Sequence, residues 1–260
     1  MMEEMESKAV ETSFPRKGVA QLTIKSQPLG VLRFGVKRAL LAALNQLESN
    51  PEVHCVVLTG VERAFSVGSD IRDFKDEVGW LLENEHVEAG LNAAIEQSPL
   101  PVIAAVNGFA LGGGAVLCLA CDIRVAAESA SFGFPEVKVG AFASGSGTQR
   151  LPRLVGRGRA LDLLLTGRTI SAQEALLIGL VEYLVPDESL YDHALELAGQ
   201  IAVNSFPAVS ATKRCVNTGL REGFAAGLEL ERQGRVTTGR GPDAVEGRSA
   251  FIEKREPKFS

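Results

Sequence analysis

Three consecutive glycines, Gly112-Gly113-Gly114, stand between two apolar runs and constrain this chain more than any other feature. Residues 101–106 read as a buried strand, and residues 115–121 carry the apolar pattern of a buried helix. Adjacent glycines are poor material for either element. They make sense where backbone must come close to another group. A helix opening directly after them aims unpaired N–H groups and the positive end of its dipole at one point. Such a point suits an anion, or an oxygen that becomes negative during a reaction. A tight turn with close strand–helix packing would satisfy the same residues with no ligand at all.

Phosphate binding is the obvious rival for a glycine-rich turn, and it fails on detail. No Lys-Ser or Lys-Thr follows the glycines, so the turn is not a P-loop, and the G-x-G-x-x-G spacing is absent. Gly145-Ser146-Gly147-Thr148 comes closer, but no clear strand leads into it.

Composition narrows the class further. At 260 residues the chain can bury a full core, as one large domain or one with a small appendage. A net charge of −5 leaves no electrostatic footprint for nucleic acid or an anionic membrane. No apolar stretch is long enough to span a bilayer. Residues 1–13 are acidic and polar, unlike a signal or transit peptide. Cys118 and Cys121 spell C-x-x-C only in letters, since the residues between them continue an apolar helix, and no second pair completes a zinc site. With Cys55 and Cys215 they read as thiols of a reducing compartment, which places the chain in the cytoplasm, with no metal. His54, His86 and His193 lie far apart beside charged residues and read as surface residues.

Hydrophobic periodicity predicts strands at 19–24, 53–58, 101–106, 123–126, 130–134 and 181–185. It predicts helices at 38–47, 113–121, 159–165 and 172–178, and a helical stretch over 73–97 broken near Gly79 and Gly90. Strands alternating with helices argue for parallel sheets in an α/β core. After Pro186 the pattern turns wholly helical, at 190–203, 208–218, 224–233 and 243–254. The expected division is a core over 1–186 and a helical region over 187–260.

A second loop repeats the design of the first. Arg63-Ala64-Phe65-Ser66-Val67-Gly68-Ser69-Asp70-Ile71 follows a strand and enters a helix with an aspartate at its start. Two such loops could each present one backbone N–H to a single carbonyl oxygen. Together they resemble the signatures of the crotonase superfamily, the enoyl-CoA hydratase and isomerase family: Ala64-Phe65-Ser66-Val67-Gly68-Ser69-Asp70-Ile71 is similar to the first and Asn107-Gly108-Phe109-Ala110-Leu111-Gly112-Gly113-Gly114 to the second. The resemblance continues through Cys121-Asp122-Ile123-Arg124, Phe132-Gly133-Phe134-Pro135-Glu136, Gly147-Thr148-Gln149-Arg150-Leu151, Leu165-Thr166-Gly167-Arg168 and Phe251-Ile252-Glu253-Lys254-Arg255, and so covers nearly the whole chain in order.

That resemblance implies an α/β fold, a crotonase-like spiral of ββα units with a helical C-terminal region, assembled as a homotrimer or homohexamer. It implies an acyl-CoA thioester substrate, with coenzyme A part of the substrate and no separate cofactor. Matched by position, the oxyanion donors are the N–H groups of Ser69 and Gly113, and the acid–base residue is Glu136. Contacts to coenzyme A fall on backbone around Arg63, Ala64 and Val67, and Lys254 matches a residue that reaches a CoA phosphate, often from a neighbouring subunit.

Two departures from the family pattern matter. Hydratases of this family place two glutamates around a water, and the first of those positions is Val116 here, which is expected to line the acyl pocket. Ala143-Ser144 stands where the family often has Pro-Gly near that water, which makes Ser144 a substrate-side residue. One carboxylate suffices to move a proton from C2 of a 3-enoyl-CoA to C4, so a double-bond isomerase run by Glu136 is the leading expectation. Hydratase or lyase chemistry with an acid drawn from elsewhere is the second, and a non-catalytic acyl-CoA-binding homologue the third. Asp70, Asp73, Asp76 and Glu77 are acids on the segment after the first loop, with Asp70 expected to cap its helix.

Overall fold

The computed structural model describes residues 9–259, so most of the acidic opening stretch lies outside them. The chain begins with an antiparallel pair, β1 (Val10–Arg16) and β2 (Gly18–Ile24), followed by α1 (Phe34–Glu48). Three ββα turns then succeed one another. The first is β3 (Val53–Gly60), β4 (Ala64–Ser66) and α2 (Val78–Gln97). The second is β5 (Val102–Val106), β6 (Phe109–Leu111) and α3 (Gly113–Ala120). The third is β7 (Ile123–Ala127) and β8 (Ser131–Gly133), with α4 (Gly147–Val155) and α5 (Arg157–Thr166). In each turn the first strand joins one sheet and the second strand joins another, which makes the path a spiral. The large sheet runs β1-β2-β3-β5-β7-β10, and the small one β4-β6-β8-β9, where β9 is Thr169–Ser171 and β10 is Tyr183–Val185, on either side of α6 (Ala172–Leu177). Pairing is parallel from β2 to β10 in the large sheet; β1 and β9 are the antiparallel edges.

The central strands read as unbroken apolar runs because both faces are covered. Val56, Val57, Ile103, Ala104 and Val106 are wholly enclosed, as are Phe65, Phe132 and Phe134 on the side of the small sheet. The rest of the chain is helical: α7 (Leu190–Ala202), α8 (Phe206–Glu222), α9 (Phe224–Gly239) and α10 (Pro242–Glu253).

Several expectations shift. Helix α2 is continuous, because Gly79 and Gly90 keep helical backbone, and only a 3-10 turn at Ile71–Asp73 precedes it. Helix α7 packs across β2, β3, β5 and β7 and buries Leu190, Ala194, Leu195 and Ala198 in the core. Helix α7, although it lies beyond Pro186, is thus part of the core packing. His54 is not simply a surface residue: its ring stacks on Phe206 at 5.2 Å, and Nδ1 lies 3.0 Å from the Ala202 carbonyl.

Helix α8 is fixed to the core by one buried cation. Lys213 donates to the carbonyls of Ile95 and Leu100 at 2.9 Å each and pairs with Asp122 at 2.7 Å. Asp122 also accepts the Val102 N–H. Buried Arg124 donates to the carbonyls of Cys121 and Leu180 and pairs with Glu182. These motif residues build scaffold. Burial pushes the thiols of Cys55 and Cys118 up to about 12, and Cys121 well above its ordinary value, as inert core thiols require.

Candidate active site

Both glycine-bearing loops rise from the same edge, where the large sheet hands over to the small one. Asn107 ties them together: its Oδ1 accepts the Gly60 N–H at 3.2 Å, and its Nδ2 donates to the carbonyls of Glu62 and Ala64. In the first loop the Ser66 hydroxyl donates to the Gly30 carbonyl at 2.7 Å and accepts the Gly68 N–H at 3.1 Å. Gly68 has φ +81°, and a Cβ there would lie 2.6 Å from the Gly113 nitrogen. In the second loop Gly112 has φ +53° and donates to the Gly133 carbonyl at 2.9 Å. A Cβ on Gly114 would meet Ser66, with its Cβ at 2.8 Å. Close approach of the two backbones, rather than turn geometry alone, is what these glycines provide.

The first loop thus meets the second at Gly113 through Gly68, one residue before Ser69. Among the described residues neither the Ser69 N–H nor the Gly113 N–H has a hydrogen-bond acceptor. Gly113 opens α3, so its N–H sits at the positive end of that helix.

Glu136 reaches the same place from the 3-10 turn Pro135–Val139, which starts on Pro135 and ends on Gly140 in the left-handed region. Its Oε1 lies 3.5 Å from where a Cβ on Gly112 would be. Its Oε2 is buried and has no hydrogen-bond partner among the described residues. Burial pushes the Glu136 carboxyl above the usual carboxylate range; its own backbone N–H draws it partly back, and the charge of Glu88 raises it again.

Glu88 escaped the sequence reading. It projects from α2, almost wholly buried, and pairs through Oε2 with the still more deeply buried Lys37 of α1 at 2.7 Å. Lys37 also donates to Ser69 Oγ at 2.9 Å and to Asn84 Oδ1 at 3.1 Å. The available signal was helical phase. Lys37 lies three residues before Leu40 and seven before Leu44, and Glu88 three before Leu91 and seven before Ile95, so each sits on a buried stripe.

Other expected site residues are spread around this centre. Ala64 is enclosed in β4, and Val67, half-buried, donates its N–H to the Leu29 carbonyl at 3.2 Å. Arg63 is exposed, with its guanidinium 6.0 Å from the centre of the Phe109 ring. Ser144 is half-buried, and its carbonyl accepts the Gly147 N–H at 3.1 Å. Val116 has no accessible surface and packs towards Gly147, so as it stands it opens onto no cleft. Lys254 is exposed at the end of α10, with φ +54° and no ion pair among the described residues; it is not brought to the two loops within one chain. Asp70 does cap its 3-10 turn, accepting the Arg72 N–H, and the Arg72 side chain holds its carboxyl well below the usual range. Among the described residues no cluster of three or more His, Cys, Asp or Glu could hold a metal. A cavity of about 1030 Å³ between α8 and the α3–β7 connection shares none of Ser69, Gly113, Glu136 or Glu88.

Backbone N–H donors near a carboxyl group are a combination with which enzymes stabilise a developing oxyanion. The family model for enoyl-CoA hydratase/isomerase matches residues 15–260, and the chain belongs to that family. Its relatives include YngF of Bacillus subtilis, 40% identical over 237 residues that span 90% of this chain and 91% of the relative. The mitochondrial enoyl-CoA hydratase of Pongo abelii is 38% identical over 93% of this chain and 83% of its own length. The crystal structure of an enoyl-CoA hydratase from Bacillus anthracis, 37% identical, superposes with a TM-score of 0.92 over 96% of this chain and 98% of that one.

Proposed function

We propose that this chain moves protons at C2 of acyl-CoA thioesters through an enolate, and that its reaction is the shift of a 3-enoyl-CoA double bond to the 2-position. The thioester oxygen sits between the N–H groups of Ser69 and Gly113. Glu136 takes a proton from C2, the electron pair delocalises onto the thioester oxygen as a dienolate, and Glu136 returns the proton at C4. Each aligned donor contributes about 3 kcal/mol to the developing charge. The observation that carries this reading is the Glu136 Oε2 atom, buried without a partner beside two unused N–H groups. A protein that merely bound acyl-CoA would have no use for that carboxyl. Coenzyme A enters as part of the substrate, along backbone near Arg63, Ala64 and Val67, and no separate cofactor is needed.

Incubation of a 3-enoyl-CoA with wild type and E136Q tests the reading. Wild type should form the 2-enoyl isomer, and E136Q should lose the activity by roughly 10²–10⁴. A variant that isomerises as fast as wild type would remove Glu136 from the mechanism.

Hydration of a 2-enoyl-CoA is the second reading. It is favoured by the hydratase names of the relatives from Pongo abelii and Bacillus anthracis, and by the presence of Glu88 near Glu136. The assembly is proposed to be a trimer or a pair of trimers, with Lys254 serving a neighbouring site. The fully buried thiols suit a reducing compartment such as the cytoplasm.

A further inference from the structure

Chemistry run by Glu136 alone leaves the Lys37–Glu88 pair unexplained. A buried ion pair is a weak source of stability, since apolar residues of similar volume commonly do as well or better. This one lies at the oxyanion loop. The three donors of Lys37 are all placed, on Glu88 Oε2, Ser69 Oγ and Asn84 Oδ1. Holding Ser69 in position requires only the ammonium and one carboxylate oxygen. The other oxygen, Glu88 Oε1, makes no hydrogen bond among the described residues. It lies 3.3 Å from where a Cβ on Gly113 would be and 2.7 Å from where one on Gly145 would be. It is thus turned between the oxyanion donor and the loop at 143–147. That loop is itself pinned: the Gly145 carbonyl accepts from Asn92 at 2.9 Å and from Arg150 at 3.2 Å. Both glycines leave room at Oε1 that any side chain would fill.

We propose that Glu88 is a second carboxylate of the active site, presented from α2, that holds a water for addition to C3 of a 2-enoyl thioester, with Lys37 as its positioning residue. The proposal rests on the oxyanion hole and Glu136 reading above. One hydrogen of the water is held by Glu88 Oε1. The water oxygen bonds to C3, and the C2–C3 π pair moves to the thioester oxygen between the two N–H groups. The other hydrogen passes to Glu136, which delivers it to C2 as the carbonyl re-forms. One water is added, Glu136 is regenerated, and Glu88 stays charged opposite Lys37 throughout. Val116 on α3 is enclosed and opens onto no cleft, so the polar contact to water comes from α2 instead.

Two measurements on wild type, E88Q and K37M/E88Q separate this role from a structural one: hydration of 2-butenoyl-CoA, and exchange of the C2 protons of butyryl-CoA in D₂O followed by NMR. Exchange needs Glu136 and the hole but no added water. Wild type should hydrate, and in both variants hydration should fall roughly 10² further than exchange. The double variant is included because E88Q leaves Lys37 buried without its counter-charge. Parallel loss of both activities, hydration within about threefold of wild type, a wild type that does not hydrate, or unfolding of both variants would each overturn the proposal. Undiminished C2 exchange in E136Q would instead sink the Glu136 reading, whatever the Glu88 ratio.

Discussion

A buried carboxyl oxygen without a hydrogen-bond partner costs stability whenever the group is ionised, and Glu136 Oε2 is such an atom. Its folded-state pKa stands above the unfolded value, chiefly through burial. Its contribution to stability is therefore full below the ordinary carboxylate range and lost as pH rises through the raised value. E136Q should gain on wild type as pH rises, and urea unfolding at about pH 4 and about pH 8, either side of the carboxylate range, reads this directly. A gap between the two proteins that does not change with pH would contradict it. In the proposed mechanism the base form is the working form, so the same ionisation acts on activity with the opposite sign: isomerisation by wild type should rise with pH through the raised pKa. Lys37 makes a complementary case. K37M strands Glu88 in a buried site and should cost about 3–5 kcal/mol, measured by denaturant unfolding, whereas a cost near zero would mean that water reaches the pair.

At the scale of elements, α3 and the loop before it convert sequence into geometry. Gly113 is the first residue of α3, a position where a helix tolerates proline because the N–H is not used within the helix. Gly113→Pro should therefore fold and bind coenzyme A, yet lose turnover by roughly 10²–10³, the effect of removing one oxyanion donor; turnover that survives in the folded variant would show that the donor is elsewhere. Much of this was legible in advance. The alternation of apolar strands with helices exposed the parallel sheet, and both loops stood out because small residues interrupted those patterns. The short strands β4, β6 and β9, three residues each, were not legible: they are held by pairing in the small sheet rather than by a periodicity of their own. Strand β1 was hidden because it is an edge strand with mostly exposed side chains. Glu88 is hidden in the sequence for another reason. The acids just after the first loop stand out by their position, whereas Glu88 lies about three turns along α2, and only the phase of that helix marks it as buried.

Across the whole molecule, the helical end of the chain is markedly apolar at its surface. Phe224 is 83% exposed, Phe251 85% and Ile252 79%. Large apolar side chains in that number call for cover, and neighbouring copies of the chain would supply it while bringing Lys254 towards a partner's site. Light scattering should give the mass of three or six chains; a monomer at micromolar concentration would contradict it. The proposed function joins fold and site: two backbone N–H groups, set by two glycine-bearing loops of the spiral, would hold a thioester enolate that Glu136 makes and unmakes. Exchange of the C2 protons of an acyl-CoA into D₂O reads that step without depending on which final product the enzyme releases. Wild type should exchange them and E136Q should be slower by roughly 10²–10⁴; equal exchange by the two proteins, or none by wild type that binds the thioester, would contradict the account.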